Sequence, residues 1–154
     1  MEEKLLEKTA AGVQRFCGWL DSYGEVSWDH QSFYASKPGR IAKSLYYRKP
    51  LRGRLAVAPA VFCEAFIPSA RRLFWKRQRF AIADAHYAMG FAFLAGFYKQ
   101  DKYYHRAVHF LEALETTRCP DYENYCWGYP FDWETSYGTF RAGTPMITTL
   151  PYVY

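Results

Sequence analysis

Residues 82–98 constrain the fold most, because this segment is apolar on almost every side. Its large apolar side chains leave no polar stripe, and small residues lie between them. A helix of this kind is buried all round, and small residues allow neighbouring helices to approach closely. The segment also carries Asp84 and His86, and it lacks the run of about 18 uninterrupted apolar residues that a membrane span needs. The sequence therefore predicts a buried helix inside a helical domain.

Two amphipathic helices are predicted on either side of this segment. In residues 2–23 the apolar side chains recur at helical spacing, at Leu6, Val13, Phe16, Cys17 and Leu20. Gly24 is a plausible end of that helix. A second helix is predicted from Asp101, interpreted as its cap, to the residues before Cys119-Pro120. Amphipathic helices that alternate with apolar ones are typical of two concentric layers of helices.

The remaining segments give weaker patterns. We expect a loop at 25–38, a short helix at 40–47 ended by Pro50, and a buried helix at 55–66 entered through Pro59. Residues 69–80 are strongly basic and are expected to link two helices across the surface. Residues 122–141 show no helical period, and residues 144–154 indicate the entry to another buried helix. Because the chain stops within that pattern, we expect it to be the front part of a longer helical protein.

Length and charge bound the possible functions. A chain of 154 residues is sufficient for one domain with its own core. The formal net charge is +5, which is not typical of a dedicated nucleic-acid binder. An acidic glycan, a lipid headgroup or ordinary solubility would each account for it. The charged N-terminus predicts no signal peptide.

The cysteines and histidines do not indicate a cofactor or a metal. The four cysteines lack CxxC spacing and are interpreted as reduced thiols of a cytoplasmic protein, and a Cys119–Cys126 bridge would require an oxidising compartment. His105 and His109 are spaced i, i+4 but lack the glutamate of a zinc-protease motif, so an exposed helix face is expected. The sequence contains no Ser/His/Asp set, phosphate-binding glycine loop or dinucleotide fingerprint.

The strongest candidate site is the run from Trp127 to Glu134. In an extended segment the carboxylates of Asp132 and Glu134 lie on one face about 7 Å apart. That distance overlaps the separation of about 6.5–9.5 Å that is typical of inverting glycosidases. Trp127, Tyr129 and Trp133 would provide stacking surfaces for sugar rings. The alternative is a rigid aromatic loop in which Asp132 caps backbone amides.

A second candidate lies at the start of the apolar helix. A buried Asp84 must be paired or hydrogen-bonded, and His86 would be able to shuttle protons. Tyr87, next to His86, is a candidate for binding the substrate. The structural alternative is that Asp84 and His86 bond to the backbone or to an arginine such as Arg79. Glu64 and the triplet Trp28-Asp29-His30 rank below Asp84.

Two sets of basic residues are also candidates for ligand binding. Arg141 would pair with a substrate carboxylate, or alternatively with Asp132 or Glu134 to hold the loop shut. The basic run from Arg71 to Arg79 would hold phosphates or an acidic glycan, or would lie on a membrane surface with Trp75 at the headgroups. A solvated connection between helices is the commoner explanation of such a run.

Three motifs carry a resemblance to a known family: Ser36-Lys37-Pro38-Gly39-Arg40-Ile41, the run from Ile82 to Gly90, and Tyr125-Cys126-Trp127-Gly128-Tyr129-Pro130-Phe131-Asp132-Trp133. The chain resembles a family of bacterial proteins found among exopolysaccharide and surface-glycan genes. The resemblance implies an all-α (α/α)6 toroid of helical hairpins, of which residues 1–154 would be one incomplete, N-terminal portion. It implies no catalytic residues. Toroids include glycoside hydrolases, lyases, epimerases and terpene cyclases, so the fold does not choose a reaction.

The expected function is that of a carbohydrate-active protein acting on a bacterial polysaccharide or its precursor, as a hydrolase, lyase or epimerase. Asp132 would be the acid or base, with Glu134 or Asp84 as its counterpart. The alternative is a non-catalytic glycan-binding or scaffold subunit of a polysaccharide-biosynthesis complex. A cyclase acting on an apolar lipid is a third interpretation, weakened by the absence of a DxDD motif. The expected partners are a glycan, and a second copy or another protein bound through exposed apolar helices.

Overall fold

The computed structural model describes residues 2–147 and 149–153, which are mainly helical and carry one small sheet. The helices are α1 (Glu2–Tyr23), α2 (Ser32–Ala35), α3 (Lys37–Arg48), α4 (Pro50–Phe66), α5 (Arg71–Phe74), α6 (Ala81–Tyr98), α7 (Asp101–Thr117) and α8 (Leu150–Val153). A 3-10 helix spans Pro68–Ala70. The strands are β1 (Trp133–Thr135) and β2 (Gly138–Phe140). The predicted terminal helix lies partly outside the described residues, at Thr148 and Tyr154.

The main core lies between the α6–α7 hairpin and α1. Lys99 ends α6 in the left-handed conformation, with a φ of 54°, and after one more residue α7 begins. Phe91 of α6 and Phe110 of α7 are both buried, with parallel rings whose centroids are 5.8 Å apart. Leu20 of α1 joins this cluster. The helix pattern of the sequence is thus confirmed for α1, α6 and α7.

The helices α3 and α4 form a second hairpin. The Ser36 hydroxyl accepts a hydrogen bond of 3.3 Å from the Gly39 amide and so caps α3. Only Lys49 separates the two helices, and Pro50 occupies the first turn of α4, where no backbone donor is needed. At Gly53 a Cβ atom would lie 2.1 Å from the Cα of Tyr46, so the two backbones cross with no room for a side chain.

The sequence placed the ends of these two helices incorrectly. Pro50 begins α4 and does not simply end the helix before it, so α4 starts five residues earlier than predicted. Pro59 lies inside α4 and not in its first turn, where it removes one hydrogen bond of the helix ladder. The predicted loop at 25–38 contains the short helix α2 and the start of α3.

The prediction that α6 is buried all round is wrong within the described residues. Met89, Phe93 and Phe97 are 50%, 73% and 66% exposed, so one side of α6 faces outward. The buried side carries Asp84, Ala85, Ala88 and Phe91. None of the helices in residues 2–147 and 149–153 combines the length and apolar character that crossing a bilayer requires.

The basic segment 69–80 is packed onto the rest of the chain and is not a solvated connection. Ser27 and Gln78 pair through reciprocal backbone hydrogen bonds of 2.9 Å. The Arg77 guanidinium donates to the carbonyl oxygens of Tyr23 and Val26, and it lies 3.9 Å from the centroid of the Tyr23 ring. These contacts fasten the segment to the C-terminal end of α1.

The crossing at Gly53 gives a stability prediction. We expect Gly53→Ala to lower the free energy of unfolding by about 1–3 kcal/mol, because the new methyl group forces the α3–α4 crossing apart. Gly96→Ala is the matched control, since a Cβ atom there meets nothing within 4 Å. That change should raise stability by about 0.5–1 kcal/mol. Equal effects of the two variants in urea unfolding would contradict the close crossing.

Candidate functional site

The aromatic loop, residues 122–141, contains the only sheet in the described part of the chain. β1 and β2 are antiparallel, with Trp133 opposite Phe140 and Glu134 opposite Thr139. Gly138 has a φ of +131°, which allows the tight connection between the strands. The loop is therefore ordered by its own short hairpin.

Trp127 anchors the loop to the helices. Its side chain is only 5% exposed, and its indole Nε1 donates a 2.8 Å hydrogen bond to the Leu114 carbonyl at the end of α7. Next to it, Gly128 approaches Thr144 so closely that a Cβ atom would lie 2.0 Å from the Thr144 carbonyl oxygen. A buried ring offers no open face, so this position does not support the expected stacking role of Trp127.

Asp132 holds the loop against α3. Its Oδ2 lies 3.3 Å from Nη2 of Arg40, and its Oδ1 accepts a 3.0 Å hydrogen bond from the Ala142 amide. Arg40 is fixed in turn, because its Nη1 donates to the Ala35 carbonyl. The backbone cap that the sequence offered as an alternative is therefore present. Arg141 is exposed, and Arg40 supplies the guanidinium that faces Asp132.

Glu134 is buried within the hairpin. It is 7% exposed, and the hydroxyl of Thr139 on the opposite strand donates to its Oε2 at 2.5 Å. Asp132 and Glu134 therefore have different partners, one on α3 and one on β2. Each member of the expected carboxylate pair is therefore already engaged by other groups of the chain.

Lys43 of α3 is the cation next to this hairpin. Its Nζ donates to Gln31 Oε1 at 2.5 Å and lies 5.3 Å from the ring centroid of Tyr34 and 5.8 Å from that of Trp133. Burial lowers the pKa of the Lys43 ammonium, and the negative charges of Glu134 and Asp29 oppose that shift. A half-buried amine thus lies within 6 Å of two ring centroids, in the field of two carboxylates.

Tyr129 and Trp133 form the aromatic part of the same region. Their ring centroids are 5.4 Å apart and the rings are tilted by 55°. Both side chains are half-buried, and burial followed by the charge of Asp29 raises the pKa of the Tyr129 hydroxyl. The Trp133 Nε1 is buried and has no hydrogen-bond partner among the described residues.

We call this region the loop–α3 cluster, and it combines aromatic, cationic and carboxylate side chains from three parts of the chain: Asp29, Tyr34, Lys43, Tyr129, Trp133 and Glu134. Its three loop residues, Tyr129, Trp133 and Glu134, were candidates from the sequence, and so was Asp29, with a lower rank. Tyr34, Lys43 and the neighbouring Arg40 were missed. The spacing of Arg40 and Lys43 on one helix face was the available signal.

A small cavity lies between the loop and the α6–α7 hairpin. Its volume is about 180 Å³, and its lining residues include Arg79, Thr117, Tyr129 and Gly143. Gln78 reaches the loop beside it, because its Nε2 donates a 3.0 Å hydrogen bond to the Pro130 carbonyl. Segment 78–81 therefore connects the loop to the start of α6.

Asp84 lies in the first turn of α6 and is completely buried. Its Oδ2 accepts a 2.8 Å hydrogen bond from Arg79 Nε, while Arg79 Nη1 lies 2.7 Å from Glu25 Oε2. His109 Nε2 lies 2.7 Å from the other oxygen of Glu25. The Asp84–Arg79 pair that the sequence gave as the structural alternative is therefore present.

Burial and pairing shift the pKa values of this ionic group in opposite directions. Burial raises the pKa of Asp84 despite the hydrogen bond from Arg79. For Glu25 burial also acts upward, but the hydrogen bonds from His109 and Arg79 outweigh it and lower the pKa. Asp84 is thus held inside the protein by its arginine and has no exposed surface with which to touch a substrate.

His86 and Tyr87 lie away from the loop. His86 is exposed, with Nδ1 2.8 Å from the Ile82 carbonyl oxygen, because a helix turns about 200° between residues 84 and 86. Both residues line a separate, largely apolar cavity of about 400 Å³ with Phe16 of α1. Burial raises the pKa of the Tyr87 hydroxyl. The structure does not bring these two candidates to the loop–α3 cluster.

The remaining candidates have structural contacts or lie apart. Glu64 is paired with Arg71. His109 pairs with Glu25, while His105 is exposed one turn earlier on α7. No group of three histidine, cysteine or acidic side chains in residues 2–147 and 149–153 is placed to hold a metal ion.

Comparison with known proteins gave no match to a protein-family model, to a curated protein or to a solved structure.

The buried Asp84–Arg79 pair gives a second stability prediction. We expect Arg79→Gln to lower the free energy of unfolding by about 3–5 kcal/mol, because it leaves a buried carboxylate without its counter-charge. Arg118→Gln is the control, since Arg118 and its partner Glu115 are 39% and 54% exposed and such pairs contribute at most about 1 kcal/mol.

The loss of unfolding free energy in Arg79→Gln should depend on pH. Without Arg79 the raised pKa of Asp84 rises further, so the native state binds more protons than the unfolded state. The difference in unfolding free energy between wild type and Arg79→Gln should therefore grow as pH rises from about 4 to 7. Urea unfolding across this range measures it, and a difference independent of pH would contradict the role of Asp84.

Proposed function

We propose that the chain is part of a carbohydrate-active protein, in which the loop–α3 cluster binds a sugar of a bacterial polysaccharide or of its precursor. The observation that carries this proposal is the placement of the half-buried Tyr129 and Trp133 rings beside Lys43 and Glu134. The resemblance to proteins of exopolysaccharide and surface-glycan genes supports the same class of ligand.

The chemistry of the cluster fits a sugar. A sugar ring presents C–H groups on one face, which pack on aromatic rings, and hydroxyl groups around its edge. The half-buried Tyr129 and Trp133 rings offer that aromatic surface, and the half-buried hydroxyl of Tyr129 is a polar group beside it. Binding sites for small ligands typically combine an apolar surface with a few polar groups that orient the ligand.

The charge balance of the cluster favours a hydroxyl-rich ligand over a polyanion. Lys43 and the adjacent Arg40 supply two positive charges, while Asp29, Asp132 and Glu134 supply three negative ones. Phosphate chains require an excess of cations. This balance supports a glycan and gives no support to a nucleic acid as the partner.

The contacts of Asp132 favour a binding role over a catalytic one. Because Arg40 and the Ala142 amide hold both of its oxygens, this carboxylate is fixed in place. A non-catalytic glycan-binding or scaffold subunit is therefore the second candidate function. In the enzymatic alternative Asp132 acts as acid or base with Glu134, and Asp84 positions the loop through Arg79.

We also propose that the two hairpins belong to an α/α toroid. The α3–α4 and α6–α7 pairs are consecutive helical hairpins, which are the repeating unit of such a ring. The resemblance supports the same architecture.

The binding proposal predicts how two substitutions, one of Trp133 and one of Tyr137, change the affinity for a glycan. Trp133→Ala should weaken glycan binding at least about tenfold, equivalent to about 1.4 kcal/mol, because it removes one of the two rings on which the sugar packs. Tyr137→Ala is the matched control, since Tyr137 lies in the same hairpin and is 96% exposed. Calorimetry with a panel of neutral and acidic bacterial glycans measures both. Equal binding by the two variants would contradict the site.

Asp132→Asn separates the two candidate functions. For a binding subunit we expect the glycans to stay intact with both wild type and Asp132→Asn, and the variant to have a lower thermal midpoint, because its contact with Arg40 is weakened. For an enzyme, products that the wild-type chain forms should disappear while glycan binding remains. Mass spectrometry of the incubated glycans distinguishes these results, with Tyr137→Ala again as the control.

A further inference from the structure

A continuous apolar stripe runs along the outer side of α4. Leu51, Leu55, Phe62 and Phe66 are 81%, 77%, 55% and 73% exposed, and the exposed Ala58 lies between them. Their successive spacings of four, three, four and four residues place all five side chains on one face of a helix. The α4 stripe, defined by these five residues, extends over almost the whole of α4, which is about 25 Å long.

The opposite face of α4 is already occupied. Gly53, Val57 and Ala60 are its buried residues and lie toward the rest of the chain. Glu64, the acidic residue of α4, is paired with Arg71. The α4 stripe therefore faces away from α3 and is uncovered within the described residues.

Cations flank the N-terminal part of the stripe on both sides. Arg52 and Arg54 are exposed. At about 100° per residue they lie about 80° on either side of the centre line of the stripe. Arg48 and Lys49 are exposed at the N-terminal end of α4, beside the half-exposed rings of Tyr46 and Tyr47. No aspartate or glutamate occurs from residue 30 to residue 63.

We infer that α4 binds in the plane of an anionic phospholipid membrane, with the stripe inserted among the acyl chains and the flanking arginines at the headgroups. A long apolar face bordered by cations and aromatic rings is the arrangement that such interfacial helices use. Anionic headgroups attract each nearby Lys or Arg. The membrane contact lies at the surface, because α4 is not a spanning helix.

The charges favour a membrane over other occupants of the stripe. Two copies joined face to face through α4 would bring four arginines together, with no carboxylate on that face to neutralise them. A nucleic acid would neutralise the arginines but would leave two leucines and two phenylalanines exposed to water or phosphate. An anionic bilayer satisfies both the apolar stripe and its cationic borders.

Three of the five cations in the basic run from Arg71 to Arg79 are paired within the chain, whereas Arg72 and Lys76 are exposed. Arg71, Arg77 and Arg79 are engaged by Glu64, by backbone carbonyls and by Asp84, respectively. The indole of Trp75 donates to Gln78 at 2.6 Å. The sequence offered a membrane contact for that run, whereas the inference made here concerns α4. It does not depend on the glycan proposal, because the loop–α3 cluster contains no residue of α4.

Vesicle flotation tests this inference on the complete chain. The chain should float with vesicles of 70% phosphatidylcholine and 30% phosphatidylserine at 0.1 M salt, and bind pure phosphatidylcholine vesicles at least about tenfold more weakly. Arg52→Gln/Arg54→Gln should reduce the affinity roughly 10- to 30-fold, from about 1 kcal/mol for each cation. Lys8→Gln/Arg15→Gln is the matched control, since it removes two exposed cations of α1 and should change binding less than threefold.

A second variant tests the apolar part. Leu55→Ser/Phe62→Ser should reduce flotation at least about tenfold while the circular dichroism spectrum remains that of a folded helical chain, because more than half of each side chain is exposed. The inference is overturned if the wild-type chain does not float, or if the two double variants float as it does. It is also overturned if light scattering shows a dimer that Leu55→Ser/Phe62→Ser dissociates, because a second copy then covers the stripe.

Discussion

The arrangement of the helices depends on the buried ion group around Arg79. A carboxylate as buried as Asp84 is tolerated only with a fixed counter-charge, and Arg79 supplies it. The same guanidinium contacts Glu25 beyond the end of α1, and Glu25 contacts His109 on α7. One arginine and its partners therefore link α1, α6 and α7 beside the aromatic core that these helices share.

The aromatic loop is positioned through the same segment. Gln78, next to Arg79, donates to the Pro130 carbonyl, and Trp127 donates to the last turn of α7. With Trp127 and Pro130 held by these contacts, the loop places Asp132 against Arg40 on the other hairpin. The candidate site therefore lies where the two hairpins are joined, and its residues come from segments about 90 positions apart in sequence.

The sequence predicted what local pattern determines and missed what depends on distant contacts. The ends of α1 and α7 followed from apolar spacing and from Gly24 and Cys119-Pro120. The ends of α3 and α4 did not, because a proline can end one helix or begin the next, and only the crossing at Gly53 decides between these roles. In the site, the rings and carboxylates of the loop were predicted, whereas Arg40 and Lys43 were missed, because nothing local shows that α3 contacts β1.

The α3–α4 hairpin relates the two proposed surfaces. The loop–α3 cluster uses Lys43 on α3, whereas the α4 stripe is on the face of α4 that points away from α3. If α4 lies in a membrane surface, α3 separates the lipid from the aromatic loop, and the loop faces the aqueous side. Tyr129 and Trp133 would then stay accessible to a glycan while α4 is bound, so the two ligands would not compete for the same side chains.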